Sequence, residues 1–120
     1  MKAIRVHTFG GPEVLTLDEI PVPQPGPGEV LVRIQAIGVN FIDIYFRTGL
    51  YKADPPITLG MEAAGVVEAV GEGFTQLVPG DRIAYCMTRG SYAEYAVIPA
   101  WQAIQIPDAL DFESAAAALL

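Results

Sequence analysis

Residues 38–65, GVNFIDIYFRTGLYKADPPITLGMEAAG, hold most of the side chains that could do chemistry: Asn40, Asp43, Tyr45, Arg47, Tyr51 and Glu62. The rest of the chain is rich in Val, Ile and Ala, so this density reads as a pocket rim rather than a core strand. Asn40, Tyr45, Arg47 and Tyr51 carry N–H or O–H donors. Donors gathered in one place can stabilise an oxygen on which negative charge develops. Each residue also has a structural reading. Asn40 suits a helix N-cap. Asp43 is expected to bond backbone or Arg47 four residues on. Arg47 is either that partner, a solvated helix end or a functional cation. Tyr45 and Tyr51 are packing aromatics or site hydroxyls. Glu62 lies in an apolar run, where burial demands a partner, so it marks the site edge or, by preference, ties the fold together. Met61 beside it reads as core or pocket wall.

The elements that must position these residues are short. Residues 2–9 alternate, with β-branched Ile4 and Val6 on one face, and predict a first strand. Gly10, Gly11 and Pro12 make a turn, and residues 14–22 a second strand. Pro21, Pro23, Pro25 and Pro27 cannot pair in a central strand, because each lacks an N–H; they read as an extended surface connection. Residues 29–38 alternate cleanly and predict a long strand that delivers the chain to Asn40. Phe41, Ile44 and Tyr45 then fall at i, i+3 and i+4, which predicts two turns of helix over 41–48, stopped by Gly49. Residues 52–56 are a loop and 64–70 a buried strand. The turn at 78–81 precedes strands over 82–86, 91–98 and 101–106. Gly80, Asp81 and Arg82 specify that turn rather than chemistry. Residues 111–120, with an Asp or Ser start and a run of Ala and Leu, predict a closing helix. That helix has no C-terminal cap in the sequence and reads as the beginning of a longer chain. The whole is mainly β, a barrel or sandwich with one or two short helices.

Composition removes several classes of function. The chain has 120 residues, 52% hydrophobic and 18% charged, which suits one globular domain over residues 1–120. Its formal net charge is −7, the wrong sign for a phosphate backbone or an anionic membrane surface. Cys86 is the sole cysteine, so intrachain disulfides and cysteine-cluster metal sites are excluded; it reads as an inert buried thiol. His7, the sole histidine, reads as a surface residue of the first strand. There is no apolar run long enough for a membrane span and no leader-like start, which predicts a cytoplasmic protein. Gly71, Glu72 and Gly73 follow a strand, but Phe74 and Thr75 come next with no third glycine, so this is a turn and not a dinucleotide cradle.

Three motifs carry a resemblance: GVNFIDIYFRTGLY at 38–51, GMEAAGVVEAVGEG at 60–73 and PGDRIAY at 79–85. Together with MKAIRVHTFGGPEVL at the start and DFESAAAALL at the end, they resemble the medium-chain dehydrogenase/reductase superfamily. The subgroup they resemble is the NADPH:quinone oxidoreductases of the zeta-crystallin type. The resemblance implies a GroES-like β-barrel catalytic domain. It also implies a Rossmann domain following the position where this chain stops, a final segment returning to the catalytic domain, and a homodimer formed largely through the Rossmann part. It places the equivalents of Asn40 and Tyr45 near the nicotinamide and substrate, with Tyr51 lining the pocket as a proton donor.

Zinc alcohol dehydrogenases of the superfamily carry cysteine where this chain has Asn40 and histidine where it has Met61. Their four-cysteine structural loop has no counterpart here either. An amide and a thioether are poor replacements for thiolate and imidazole on Zn²⁺, so the resemblance implies a zinc-free member. Reducing an isolated ketone concentrates charge on one oxygen and benefits from a Lewis acid. Hydride addition to a quinone or enone gives a delocalised anion that hydrogen-bond donors can stabilise. The expected activity is therefore hydride transfer from NADPH to a quinone or similar conjugated carbonyl. The alternatives are another zinc-free enone or enoyl reductase, or a non-enzymatic GroES-like binding module. Without a phosphate cradle, the 120 residues alone are expected to bind NADPH weakly and to show no turnover.

Overall fold

The computed structural model describes residues 1–73 and 76–120; Phe74 and Thr75, which follow the glycine turn, lie outside the described residues. Eight strands and two helices run in the order β1 (Lys2–Val6), β2 (Leu15–Glu19), β3 (Glu29–Gly38), α1 (Phe41–Thr48), β4 (Ile57–Thr58), β5 (Glu62–Val70), β6 (Arg82–Cys86), β7 (Tyr95–Pro99), β8 (Ile104–Gln105) and α2 (Phe112–Ala116). They form a three-stranded sheet, β2-β1-β4, and a five-stranded sheet, β7-β3-β5-β6-β8. The mainly β class with two short helices is the one the sequence pattern predicts. The barrel is open: among the described residues the sheets meet through the isolated bridge Ala3↔Ala93 and single backbone bonds such as Ile4 N–H to Tyr92 O, 2.8 Å.

The β3–β5 ladder is the spine. Its antiparallel register runs from Val30↔Val70 to Gly38↔Glu62. Val30 and Val32 on β3, Ala63 and Val67 on β5, Ile83 and Tyr85 on β6, and Ala96 and Ile98 on β7 bury one contiguous core. The β-branched side chains suit this pleated surface. A second cluster joins Ala64 and Ala84 to Ala115 and Ala116 of α2. These small side chains let the helix backbone approach the sheet closely.

Several expected boundaries move, each for a local reason. β1 stops at Val6, and His7 lies just beyond it, its Nε2 2.6 Å from Asp18 Oδ2. β5 begins at Glu62 rather than residue 64, so part of the expected rim is buried strand. Residues 91–94 are a loop before β7, and Trp101 sits in a 3₁₀ turn before the two-residue β8. Cys86 is half-buried rather than buried. The closing helix spans Phe112–Ala116, not 111–120, although Asp111 caps it as expected by accepting from Ser114 N–H at 2.7 Å. Its continuation is diverted: the N–H groups of Leu119 and Leu120, which would extend the ladder, donate instead to Glu62 Oε2 at 2.9 and 3.1 Å. No helix among the described residues is long and apolar enough to cross a membrane.

Candidate active site

α1 follows directly from the C-terminal end of β3. Asn40 occupies its N-cap position with extended backbone (φ −134°, ψ 158°), and Gly49 closes it in the left-handed conformation (φ 87°) that glycine adopts without strain. Asp43, at the third helical position, accepts from Asn40 N–H at 3.0 Å. A carboxylate there also opposes the positive end of the helix dipole.

The helix lies where periodicity predicts, but its apolar stripe faces outward. Phe41 is 78% exposed, Ile44 39% and Tyr45 37%. The buried side carries Asp43, 3% exposed, while Phe46 packs on the cluster of Val6, Ile57 and Leu59. Tyr51, 45% exposed, folds back so that its ring lies 5.4 Å from that of Tyr45 and edge-on to Phe46 at 5.7 Å. The Tyr51 N–H to Tyr45 carbonyl bond, 3.1 Å, fixes this return. Val39, Phe41 and Leu50, near Asn40 and the two phenols on the chain, are exposed as well.

Asn40 is held from a second direction. Its Nδ2 donates to Glu62 Oε1 at 3.0 Å. A carboxylate can only accept here, so the amide orientation is set; its carbonyl oxygen faces the Asp43 N–H in a reciprocal capping box, and one N–H of the amide remains for another partner. Glu62, 2% exposed, thus collects N–H donors from Asn40, Leu119 and Leu120. Gly38, opposite it in the ladder, leaves the needed space: a Cβ there would lie 2.5 Å from the Ala116 carbonyl oxygen and 2.6 Å from Glu62 Oε1. The structural reading of Glu62 is the one the geometry supports.

Of the four residues singled out for chemistry, Tyr45 and Tyr51 come together and Asn40 is fixed at the helix start. Arg47 points elsewhere. Its Nε donates to the Gly10 carbonyl at 3.2 Å, and its own carbonyl accepts from Gly10 N–H at 3.1 Å. It staples α1 to the loop after β1. Of the two partners expected for Asp43, the backbone is the one found, through Asn40 N–H; the Arg47 pair does not form, and a donor from much farther along the chain joins instead: Tyr92 OH donates to Asp43 Oδ2 at 2.6 Å. Burial, with that hydrogen bond second, pushes the Tyr92 phenol well above its usual range. Sequence reading takes Tyr92 only as an apolar residue of the strand expected over 91–98 and misses its hydroxyl's role. Its only local signal is its position in the SYAEYAV stretch, which periodicity assigns to a strand.

Neither the buried nor the exposed side offers a preformed metal centre: no cluster of three or more His, Cys, Asp and Glu groups among the described residues could hold an ion. A cavity of ≈ 50 Å³ beneath α1, lined by Leu15, Asp43, Ile44, Arg47, Leu59 and Tyr92, is too small for an organic substrate. Tyr45 and Tyr51 are exposed, and Asn40 is half-buried.

Residues 26–108 match the family described as alcohol dehydrogenase GroES-like domain. Among curated proteins, the chain is 48% identical over 121 aligned positions to a quinone oxidoreductase of Pseudomonas aeruginosa, with 99% of this chain and 37% of that protein covered. It is 42% identical over 113 positions to a 2-haloacrylate reductase of Burkholderia, covering 90% of this chain and 34% of the relative. Among solved structures, the Escherichia coli quinone oxidoreductase complexed with NADPH superposes with a TM-score of 0.97 at 43% identity, over the whole of this chain and 37% of that one. The chain therefore spans a little over a third of the length of these relatives.

Proposed function

Since the chain belongs to the family of alcohol dehydrogenase GroES-like domains, we propose that it is the N-terminal catalytic domain of a zinc-independent NADPH:quinone oxidoreductase. In this reading Asn40, Tyr45 and Tyr51 serve the reaction, and Arg47 serves the fold. Similarity to quinone oxidoreductases at 43–48% identity supports the reaction class. The observation that carries the residue assignment is an amide anchored on a buried carboxylate at the start of α1, followed along the chain by two phenols whose rings pack 5.4 Å apart.

The residues present fit the nicotinamide end of the cofactor and not its phosphates. Asn40 offers one N–H beyond those its capping box and Glu62 engage, the complement of a carboxamide or quinone oxygen. No glycine-rich strand–turn–helix occurs in the sequence to take a pyrophosphate. The bound nicotinamide supplies the hydride. The chain's own side chains do the rest: the phenols of Tyr45 and Tyr51 donate to the acceptor's oxygens, and Asn40 orients the reacting ring. The exposed apolar side chains Val39 and Phe41 exclude water where that ring sits. The buried carboxylate of Glu62 already accepts from the N–H groups of Asn40, Leu119 and Leu120, and Asn40 and Met61 supply an amide and a thioether, poor ligands for Zn²⁺. Both support chemistry by hydrogen-bond donors alone.

The test is a steady-state assay of the full-length polypeptide with NADPH and 1,4-benzoquinone. Asn40→Ala and Tyr51→Phe should each lower kcat/KM by about tenfold or more, the scale of one lost transition-state hydrogen bond. Unchanged kcat/KM in both variants removes these residues from the site. A second reading, reduction of a different conjugated acceptor, is favoured by the similarity to 2-haloacrylate reductase. Turnover of acrylates or enoyl thioesters in preference to quinones would establish it.

A further inference from the structure

Asn40 is useful to a reaction only if its amide is held still, and its two anchors differ in kind. The side chain is held by Glu62. The backbone N–H is held by Asp43, whose carboxylate is otherwise an expense to the fold. Asp43 is 3% exposed, its Oδ1 has no partner among the described residues, and no ion pair to Arg47 forms there. A helix start needs no such arrangement, because an exposed cap satisfies the same N–H groups in water. Burying a half-partnered carboxylate lowers stability, so what Asp43 supplies here is geometry.

The group that holds Asp43 is unusually well fixed. Tyr92 donates its own N–H to the Leu59 carbonyl at 2.9 Å, and its carbonyl accepts from Ile4 N–H at 2.8 Å. It is thereby tied to β1 and to the chain after β4, at the junction of the two sheets. Gly60 fits against it so closely that a Cβ would fall 2.9 Å from the Tyr92 backbone nitrogen. The O–H···O⁻ distance of 2.6 Å is that of a strong, charge-assisted bond.

We propose that Tyr92 and Asp43 are positioning residues for Asn40. The sheet junction fixes the Tyr92 hydroxyl, the hydroxyl fixes the Asp43 carboxylate, and the carboxylate fixes the Asn40 backbone from which the amide reaches the reacting ring. Neither residue touches substrate. The inference rests on the reading that Asn40 lies in the reaction site.

The experiment is a double-mutant cycle in the full-length polypeptide, with NADPH and 1,4-benzoquinone as probes. Tyr92→Phe should lower kcat and kcat/KM together by about tenfold with KM unchanged, the pattern of an interaction felt only in the transition state. In an Asn40→Ala background the same substitution should cost less than twofold, because its target is gone. Asp43→Asn, which keeps an acceptor oxygen, should retain more kcat than Asp43→Ala, and it supplies the cycle if Tyr92→Phe does not fold. Additive losses, or no loss from Tyr92→Phe, overturn the proposal. No loss from Asn40→Ala instead overturns the site reading. Hydrogen exchange at the Asn40 amide, read by NMR, tests positioning without turnover. Faster exchange in Tyr92→Phe is expected, and unchanged exchange would refute the relay.

Discussion

The two ends of the β3–β5 ladder are built on opposite principles. From the Val30↔Val70 end along most of the ladder, β-branched and aromatic side chains from four strands close an apolar core. At the Gly38↔Glu62 end the same ladder opens into glycine, a buried carboxylate and an amide. Apolar burial is non-directional and tolerates many arrangements. A buried carboxylate tolerates few, because each lone pair must meet a donor. The first end supplies stability, and the second supplies a defined geometry at α1, at some expense in stability.

The sharpest break in that comparison comes from truncating the apolar end. Ile83→Ala, at a fully buried position, should cost about 2–5 kcal/mol in chemical denaturation, with KM unchanged in the folded fraction. Glu62→Ala at the other end should cost less, about 1–3 kcal/mol, since it strands N–H donors that can partly reach water. It should nevertheless lower kcat/KM of the full-length polypeptide more than Ile83→Ala does. If the two variants moved stability and activity in parallel, the division of labour would be wrong.

The smallest effect sharpens the apolar core. The Tyr85 hydroxyl is buried in it, next to the Glu62 end, without a partner among the described residues, and burial pushes its pKa well above the usual phenol range. Tyr85→Phe should therefore be neutral or stabilising by up to about 1 kcal/mol at pH 7. The pH dependence has a definite sign. Below pH about 10 the phenol is neutral in both folded and unfolded chains. Above it the unfolded chain releases a proton that the fold retains, so stability falls as pH rises. Tyr85→Phe should make that alkaline decline shallower in a denaturation series from pH 8 to 11. An unaltered slope would mean that Tyr85 is not held neutral.

Much of this was legible in the chain itself. Alternation over 29–38, the Asn40 and Gly49 punctuation of α1 and the Asp111 start of α2 are local signals, and each element appears where the residues place it. Asn40, Tyr45, Tyr51 and Glu62 stood out because hydrogen-bonding groups are conspicuous in an apolar chain. The helical stripe of Phe41, Ile44 and Tyr45 was legible as a period but not as a direction. Periodicity shows that residues share a face and does not say whether that face meets the core.

What only the tertiary structure decided are the partnerships across long separations. Arg47 is the right distance from Asp43 for a pair within the helix, yet it bonds Gly10, and Asp43 bonds Tyr92, 49 residues on. The helix propensity of 111–120 is real, but Glu62 draws off the N–H groups that would continue the ladder. In both cases the local preference is worth a few tenths of a kcal/mol per residue or pair. An acceptor buried by the packing of two sheets exacts more than that if left unsatisfied. Sequence sets the local preferences, and the larger penalty, which exists only once the sheets have met, decides among them.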